Sequence, residues 1–280
     1  MAALVDAAAA ADGVAPLNEH VLLALQYGGQ AAVRHVVAAG DDGAWVGYGH
    51  LDLTDRIQGA SAEVVVHPDR RRQGVGAALV GRMLAEADPL PLRLWAHGHH
   101  PAAERLAATL GFTRVRDLWQ MRRSLHGDLP SAQAPEGVSL RSFRPGEDDE
   151  AWLRVNARAF AEHPEQGSMS ADDLVQRMQE PWFDADGFLV AERAGEMVGF
   201  HWTKVHAGDD PVGEVYVVGV DPSAQGLGLG SVLTLAGLWH LRDRGLDQVM
   251  LYVESDNAAA IRVYERLGFE QWDVDVMYCR

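Results

Sequence analysis

An internal repeat constrains the fold of this chain more than any other feature of its sequence. Three glycine-centred motifs occur twice, in the same order and at nearly constant separation. The pairs are Gly47 with Gly199, Gly74 with Gly228, and Gly111 with Gly268, separated by 152, 154 and 157 residues. Three ordered matches are improbable by chance. The sequence therefore predicts two copies of one fold.

A segment with the composition of a linker separates the two copies. Residues 127–137 contain two prolines and two glycines and have no apolar periodicity. We therefore predict an N-terminal domain over residues 1–126, a linker over 127–137 and a C-terminal domain over 138–280. Each domain is close to the commonest domain size.

Hydrophobic periodicity predicts the elements of the second copy. Helices are expected over 149–162, 170–180, 228–244 and 258–267, and strands over 188–191, 197–205, 214–220, 249–254 and 272–278. Ser170, with Asp173 three residues later, resembles a capping box. This order predicts an α/β (α+β) fold in which each copy is a mixed, largely antiparallel sheet flanked by helices.

Composition excludes several classes of function. The formal net charge of -16 disfavours nucleic acid and anionic membranes as partners. No apolar run approaches the roughly 20 residues that span a bilayer, and the start of the chain lacks the basic region of a signal peptide. The single cysteine, Cys279, allows no internal disulfide. We expect a cytoplasmic monomer with a small-molecule substrate.

A histidine cluster raises the question of a metal. His97, His99 and His100 lie close together, but no further ligand follows at a suitable spacing. We therefore predict no metal site.

A glycine-rich turn lies between a strand and a helix at residues 222–230. Glycines let the backbone approach a ligand closely, and the N-terminus of the following helix favours a phosphate. No Lys-Ser/Thr follows, which excludes a Walker A loop, and the surroundings disfavour a dinucleotide fold. The alternative is a plain tight turn. Residues 71–76 have the same construction.

Two motifs resemble those of the GNAT-type N-acetyltransferases, over nearly the whole chain. The loop pattern Gln/Arg-x-x-Gly-x-Gly/Ala occurs at Arg71, Gly74 and Gly76, and again at Gln225, Gly228 and Gly230. The second pattern, Asn-x-x-Ala-x-x-x-Tyr-x-x-x-Gly-Phe, is complete at Asn257, Ala260, Tyr264, Gly268 and Phe269. The resemblance implies a sheet splayed between two central strands, with acyl-CoA in the cleft.

The resemblance also implies which residues hold acetyl-CoA, the acyl donor. In the second copy they are the strand residues Val218, Gly219 and Val220, the loop residues Gln225, Gly226, Leu227, Gly228, Leu229, Gly230 and Ser231, and the helix residues Asn257, Ala258, Ala259, Ala260, Ile261 and Arg262. In the first copy they are Val64, Val65, Val66, Arg71, Arg72, Gln73, Gly74, Val75 and Gly76. Whether the first copy binds the donor or only supports the second is left open.

Alignment of the copies places the chemistry in the second. Ala60 lies opposite Glu214, and Ala107 lies opposite Tyr264. An amine attacks a thioester only when neutral, so a base must remove its proton. Glu214 is the candidate base and Tyr264 the candidate acid near the departing sulfur. The alternative for Glu214 is an ordinary solvated carboxylate, and the alternative for Tyr264 is a packed aromatic ring.

Further strings in the second half resemble one tandem branch of the family, which acetylates the cysteinyl amine of a cysteinyl-glucosaminyl-inositol. They are residues 163–167, 200–206, 213–220 and 251–257. The resemblance implies substrate contacts at Glu19, Glu165, Lys204, Glu214 and Tyr252. The alternatives are a family member acting on another amine, such as a protein N-terminus or an aminoglycoside, and a non-enzymatic acyl-CoA sensor.

Overall fold

The chain folds into two compact units. The computed structural model describes residues 1–28, 32–208 and 210–280, with backbone alone for 164 and 165. The first unit comprises Met1–Trp119 together with Asp273–Arg280, and the second comprises Gln120–Trp272. The first unit therefore breaks at Trp119, before the predicted domain end at 126, and it also includes the last eight residues of the chain.

The helices and strands follow the predicted α/β order. Up to residue 124 they are α1 (Ala2–Asp12), α2 (Glu19–Tyr27), β1 (Val33–Ala39), β2 (Trp45–Asp52), β3 (Ala60–Val66), α3 (Val75–Ala87), β4 (Leu92–Ala96), α4 (Pro101–Thr109) and β5 (Thr113–Ser124). The remainder are β6 (Val138–Ser142), α5 (Asp149–Ala159), α6 (Pro164–Gly167), α7 (Ala171–Met178), β7 (Phe188–Arg193), β8 (Glu196–His206), β9 (Val212–Val220), α8 (Leu229–Asp243), β10 (Gln248–Glu254), α9 (Ala258–Arg266) and β11 (Glu270–Cys279).

Local signals placed these elements accurately in the second half. The predicted capping box at the start of α7 is confirmed, because the Ser170 hydroxyl accepts from Asp173 N and the Asp173 carboxylate accepts from Ser170 N. Residues 127–135 of the predicted linker carry no helix or strand. The predicted fold class is confirmed.

In the first unit, the sheet has the strand order β1–β2–β3–β4–β11. The β3–β4 pair is parallel, and the other neighbours are antiparallel. Helix α3 covers one face, where Val80 and Met83 pack with Leu51 and Leu92 in the main core. Because all four side chains are fully or nearly fully buried, this unit has a substantial apolar core of its own.

The last strand belongs to this first core. Residues 276–279 of β11 pair antiparallel with residues 93–96 of β4. Just beyond β4, His97 Nδ1 lies 2.9 Å from Asp275 Oδ2, and His97 Nε2 lies 3.4 Å from Glu63 Oε2. Burial acts to lower the pKa of His97, but the two carboxylates outweigh it and raise the pKa to about 10. A buried ion cluster therefore ties the C-terminal strand to β3 and β4.

The stability of the chain is expected to fall as His97 loses its proton. The pKa of His97 is raised from about 6.5 in the unfolded chain to about 10 in the folded one. The stability that protonated His97 contributes is therefore complete below pH 6.5 and is lost as pH rises through 10. Urea unfolding between pH 7 and 10 should show a steeper fall in the free energy of unfolding for the wild type than for His97→Gln. His126→Gln, at an exposed ion pair with Asp247, is the control. Parallel pH curves for wild type and His97→Gln would contradict this assignment.

In the second unit, the sheet has the order β10–β9–β8–β7–β6, in which only the β9–β10 pair is parallel. Helix α8 covers one face, where Gly237 lies against the imidazole of His201. The opposite face carries an aromatic core around Trp152, Phe200 and Trp202. Among the described helices, none is long and apolar enough to cross a membrane.

Candidate active site

Three predicted substrate residues lie on one face of the second unit's sheet. Lys204 on β8 is directly opposite Glu214 on β9, and Glu214 is opposite Met250 on β10. Tyr252 follows Met250 by two residues on the same strand, so its side chain leaves the sheet on the same face. Strand register therefore brings Lys204, Glu214 and Tyr252 together.

The two parallel strands separate beside these residues. The register of β9 with β10 covers Gly213–Val215 and Val249–Leu251, although the strands continue to Val220 and Glu254. Over the described residues, the end of β9 is therefore paired with β8 on one edge and has its other edge open. Its backbone N–H and C=O groups on that edge can bind an extended ligand. This opening matches the predicted splay between central strands.

A bulge in β9 coincides with the opening. Trp202 pairs with Val217 and Thr203 pairs with Val215, which leaves Tyr216 as the extra residue. A bulge bends its strand and redirects the side chains around it. The bulge therefore helps to separate the end of β9 from β10.

Lys204 lies among aromatic rings. Its Nζ is 4.8 Å from the centre of the Trp182 ring and 5.1 Å from that of Tyr216. The phenol oxygen of Tyr216 accepts a hydrogen bond of 2.8 Å from Arg177 Nε. Only 8% of Lys204 is exposed. Cation–π attraction thus holds a nearly buried ammonium group opposite Glu214.

Glu214 is a nearly buried carboxylate on this face. It is 6% exposed, and its Oε2 lies 2.6 Å from Nε2 of His206. A carboxylate held in this way has a defined orientation and retains a second oxygen for an incoming proton. The geometry therefore fits the role predicted for Glu214.

Tyr264 lies on α9 and is 8% exposed. Burial raises the pKa of its phenol to about 12. Its ring packs edge-on against Phe269, with 5.8 Å between the centroids. The phenol is therefore protonated at neutral pH, as an acid must be, and its ring is fixed by packing.

The glycine turn of the second unit leads directly into α8. Gly226 and Gly228 have φ of 81° and 75°, values that side chains with a Cβ adopt only at a cost. Gly228 is the N-cap of α8. The helix therefore starts directly after the turn and presents its first unpaired N–H groups there.

At the start of α9, the Asn257 side chain has a structural task. It accepts a hydrogen bond of 3.1 Å from Ala260 N and so caps the helix. Ile261 points into the core, whereas Arg262 is exposed. Of the predicted donor-binding side chains on α9, Arg262 thus offers an accessible cation.

The first unit has a similar turn with different surroundings. Gly74 has φ of 85° and is the N-cap of α3. Arg71, however, forms a bidentate ion pair of 2.6 and 2.7 Å with Asp12 at the end of α1. The charge predicted to hold phosphate is therefore already paired. Ala60 and Ala107 are buried in this unit, so neither position supplies an acid or a base.

The remaining predicted substrate residues are Glu19 and Glu165. Glu19 is the first residue of α2, in the first unit. The backbone of Glu165 lies in α6, but its side chain is outside the described residues. Both remain predictions from resemblance.

Sequence reasoning missed several residues of the site. His206, Trp182, Tyr216 and Arg177 surround Glu214 and Lys204. The alternation along β8 contained a signal for one of them, because His206 follows Lys204 by two residues and shares its face. The positions of the other residues could not be predicted, because Tyr216 is the bulge residue and Arg177 reaches it from α7.

Fold and site together define a GNAT acetyltransferase: a mixed sheet opens between two parallel strands, beside a glycine turn that starts a helix. The model of the acetyltransferase (GNAT) family matches residues 152–269, and that of an acetyltransferase (GNAT) domain matches residues 32–114. Both copies of the repeat are therefore of this type, and the family uses acetyl-CoA as donor.

Relatives that match over the full length show which family of GNAT acetyltransferases the chain belongs to. The chain is 59% identical to the mycothiol acetyltransferase of Thermobispora bispora, covering 99% of this chain and 94% of that one. It is 57% identical to the mycothiol acetyltransferase of Thermomonospora curvata, covering 99% and 91%. The chain belongs to the mycothiol acetyltransferase family.

Solved structures agree on the fold. A GCN5-related N-acetyltransferase from Sphaerobacter thermophilus superposes with a TM-score of 0.72 at 25% identity, covering 100% of this chain and 90% of that one. A tandem GNAT protein from the clavulanic acid biosynthesis pathway has a TM-score of 0.76 at 23% identity, covering 99% and 93%. The second of these likenesses concerns the fold alone.

Proposed function

We propose that this chain transfers the acetyl group of acetyl-CoA to the cysteinyl amine of cysteinyl-glucosaminyl-inositol, the last step in making mycothiol. Membership of the mycothiol acetyltransferase family supports this reaction. The observation that carries it is the nearly buried Glu214, which lies opposite Lys204 beside the open edge of β9.

In the proposed reaction, Glu214 takes a proton from the substrate ammonium, and the neutral nitrogen attacks the thioester carbonyl carbon. A backbone N–H at the end of β9, within Val218–Val220, stabilises the oxyanion. The C–S bond then breaks, and sulfur takes the proton of Tyr264. The second nitrogen proton is lost as the amide forms, and it restores the phenol through solvent.

The donor is proposed to lie along the open edge of β9. Pantetheine pairs with Val218, Gly219 and Val220, and the pyrophosphate lies on the N–H groups of residues 225–231. The positive φ values of Gly226 and Gly228 support this placement. Since the loop has Gln225 where an arginine is also allowed, backbone donors and the helix N-terminus supply most of the attraction.

The acceptor is proposed to contact Lys204, Tyr252, Glu165 and Glu19. A sugar and an inositol carry many hydroxyl groups, which carboxylates and an ammonium bind through hydrogen bonds. Carboxylates also attract the cationic amine before it reacts. The shared face of Lys204 and Tyr252 supports the first two contacts.

An acetyl-CoA assay tests the proposal. Purified protein is supplied with acetyl-CoA and the cysteinyl pseudodisaccharide, an aminoglycoside or a peptide with a free N-terminus, and free CoA thiol is measured. We expect rapid release of CoA with the pseudodisaccharide as acceptor and none with the other two amines. Turnover of another amine without turnover of this one would overturn the proposed acceptor, and binding of acetyl-CoA with no turnover at all would indicate a sensor.

The first unit is proposed to hold a second acetyl-CoA that is not used for transfer. Its loop keeps the positive φ of Gly74 at the start of α3. Calorimetry with CoA is expected to give two sites per chain, because the turn at Gly74 and the N-terminus of α3 supply backbone donors for phosphate. A stoichiometry of one would assign this unit a purely supporting role.

The remaining expectations complete the proposal: a cytoplasmic monomer with no metal and no nucleic-acid partner. The single cysteine and the net charge of -16 support the compartment and the absence of nucleic acid. Among the described side chains, no group of three or more His, Cys, Asp or Glu residues is arranged to hold a metal ion.

A further inference from the structure

The imidazole of His206 is the hydrogen-bonding partner of the proposed base. His206 Nε2 lies 2.6 Å from Glu214 Oε2, a separation typical of a strong, charge-assisted hydrogen bond. The Glu214 side chain is 8% exposed and the His206 side chain is 39% exposed. The pair therefore connects a buried carboxylate to solvent through one imidazole ring.

Strand geometry fixes this pair. His206 is opposite Val212 in the register of β8 with β9, two residues from the Lys204–Glu214 pair. Side chains two residues apart on a strand share a face, and diagonal neighbours across a pair are within reach of long side chains. His206 can therefore reach Glu214 without displacing Lys204.

We propose that His206 is a positioning residue for Glu214 and the point where the amine's proton leaves the site. This inference rests on the proposed function of Glu214. Between turnovers the neutral ring donates Nε2–H to the carboxylate. After Glu214 has taken the ammonium proton, exchange with water moves the ring proton from Nε2 to Nδ1, Nε2 then accepts the proton from Glu214, and Nδ1 releases one proton to water. No electrons move in this relay, and Glu214 returns to the carboxylate form for the next turnover.

Other charged and polar groups lie around the pair. Lys204 lies across the strand from Glu214 but is held by the rings of Trp182 and Tyr216. The Tyr216 phenol is bound by Arg177. On β10, the Tyr252 hydroxyl lies 3.0 Å from Gln120 Nε2. His206 contacts the Glu214 carboxylate directly, at 2.6 Å.

The test compares His206→Gln and His206→Ala with wild type in the acetyl-transfer assay. Loss of a hydrogen bond to a charged group predicts a fall in kcat of about ten- to hundredfold, with KM for acetyl-CoA unchanged. The acidic limb of the pH–rate profile should move in both variants, and exogenous imidazole should restore part of the rate to His206→Ala. His126→Gln, at an exposed histidine–carboxylate pair of the same unit, is the matched control.

A double-mutant cycle with Glu214→Gln separates the outcomes. We expect His206→Gln to cause no further loss in the Glu214→Gln background. Wild-type kcat and pH profile in both His206 variants, with Glu214→Gln inactive, would overturn the inference and leave the proposed function intact. An active Glu214→Gln enzyme would overturn the proposed base itself. Circular dichroism verifies that each variant is folded. If His206→Ala does not fold, His206→Gln still tests the inference.

Discussion

Glu214→Gln is expected to lower kcat by roughly 10²- to 10⁴-fold, the usual contribution of a general base. The amide has nearly the shape of the carboxylate but cannot take a proton from the substrate ammonium at neutral pH. Because Glu214 lies opposite Lys204 and outside the residues proposed to hold the donor, the Kd of acetyl-CoA should not change. Steady-state kinetics and calorimetry with CoA measure the two quantities.

Glu196→Gln is the matched control for this experiment. Glu196 begins β8 in the same unit and forms an exposed ion pair of 3.6 Å with Arg154, so its substitution should leave kcat at the wild-type value. A Glu214→Gln enzyme with unchanged kcat would remove Glu214 as the base. A large loss of CoA binding would show that the residue supports the donor site instead.

Gly237→Ala is expected to destabilise the chain by about 2–3 kcal/mol. Gly237 lies where α8 packs on β8, and a Cβ there would overlap the imidazole of His201. That ring cannot move freely, since it is fully buried and its Nδ1 lies 2.7 Å from the carbonyl oxygen of Leu233. Burial lowers the pKa of His201 to about 4, so the neutral ring donates this hydrogen bond.

The steric cost of Gly237→Ala is opposed by the higher helix propensity of alanine, which favours the substitution by about 1 kcal/mol. Gly81→Ala isolates it, because Gly81 lies within α3, is exposed and has nothing within 4 Å of a new Cβ. We expect Gly81→Ala to raise the melting temperature slightly and Gly237→Ala to lower it by roughly 5–10 °C. Equal melting temperatures for Gly237→Ala and wild type would show that His201 can move aside.

Features that depend on local physics could be predicted from the sequence. The glycines at 226 and 228 have positive φ because no other residue takes this conformation without cost. Ser170 caps α7 through contacts within one helical turn. Apolar runs predicted strands over 197–205 and 214–220, which the structure contains as β8 and β9. The repeat, the fold class and the family were also evident in the sequence, because their motifs are short and contiguous.

Contacts between residues far apart in sequence could not be predicted in this way. The pairing of β11 with β4 places the end of the chain in the first unit, whereas the repeat assigned it to the second. Asp275 and Glu63 around His97 follow from that pairing. The pairing of Arg71 with Asp12 likewise depends on where α1 ends on the folded unit.

The sequence by itself thus indicated the two copies and their glycine turns, because the same motifs recur along the chain in the same order. The acid and base candidates of the second copy came from the resemblance to the GNAT family and from the alignment of the copies. The tertiary structure decided which strand completes the first core, where β9 leaves β10, and that His206 holds Glu214. Those outcomes depend on strand register and on a bulge at Tyr216, which shift side chains by whole residues without leaving a signature in local composition.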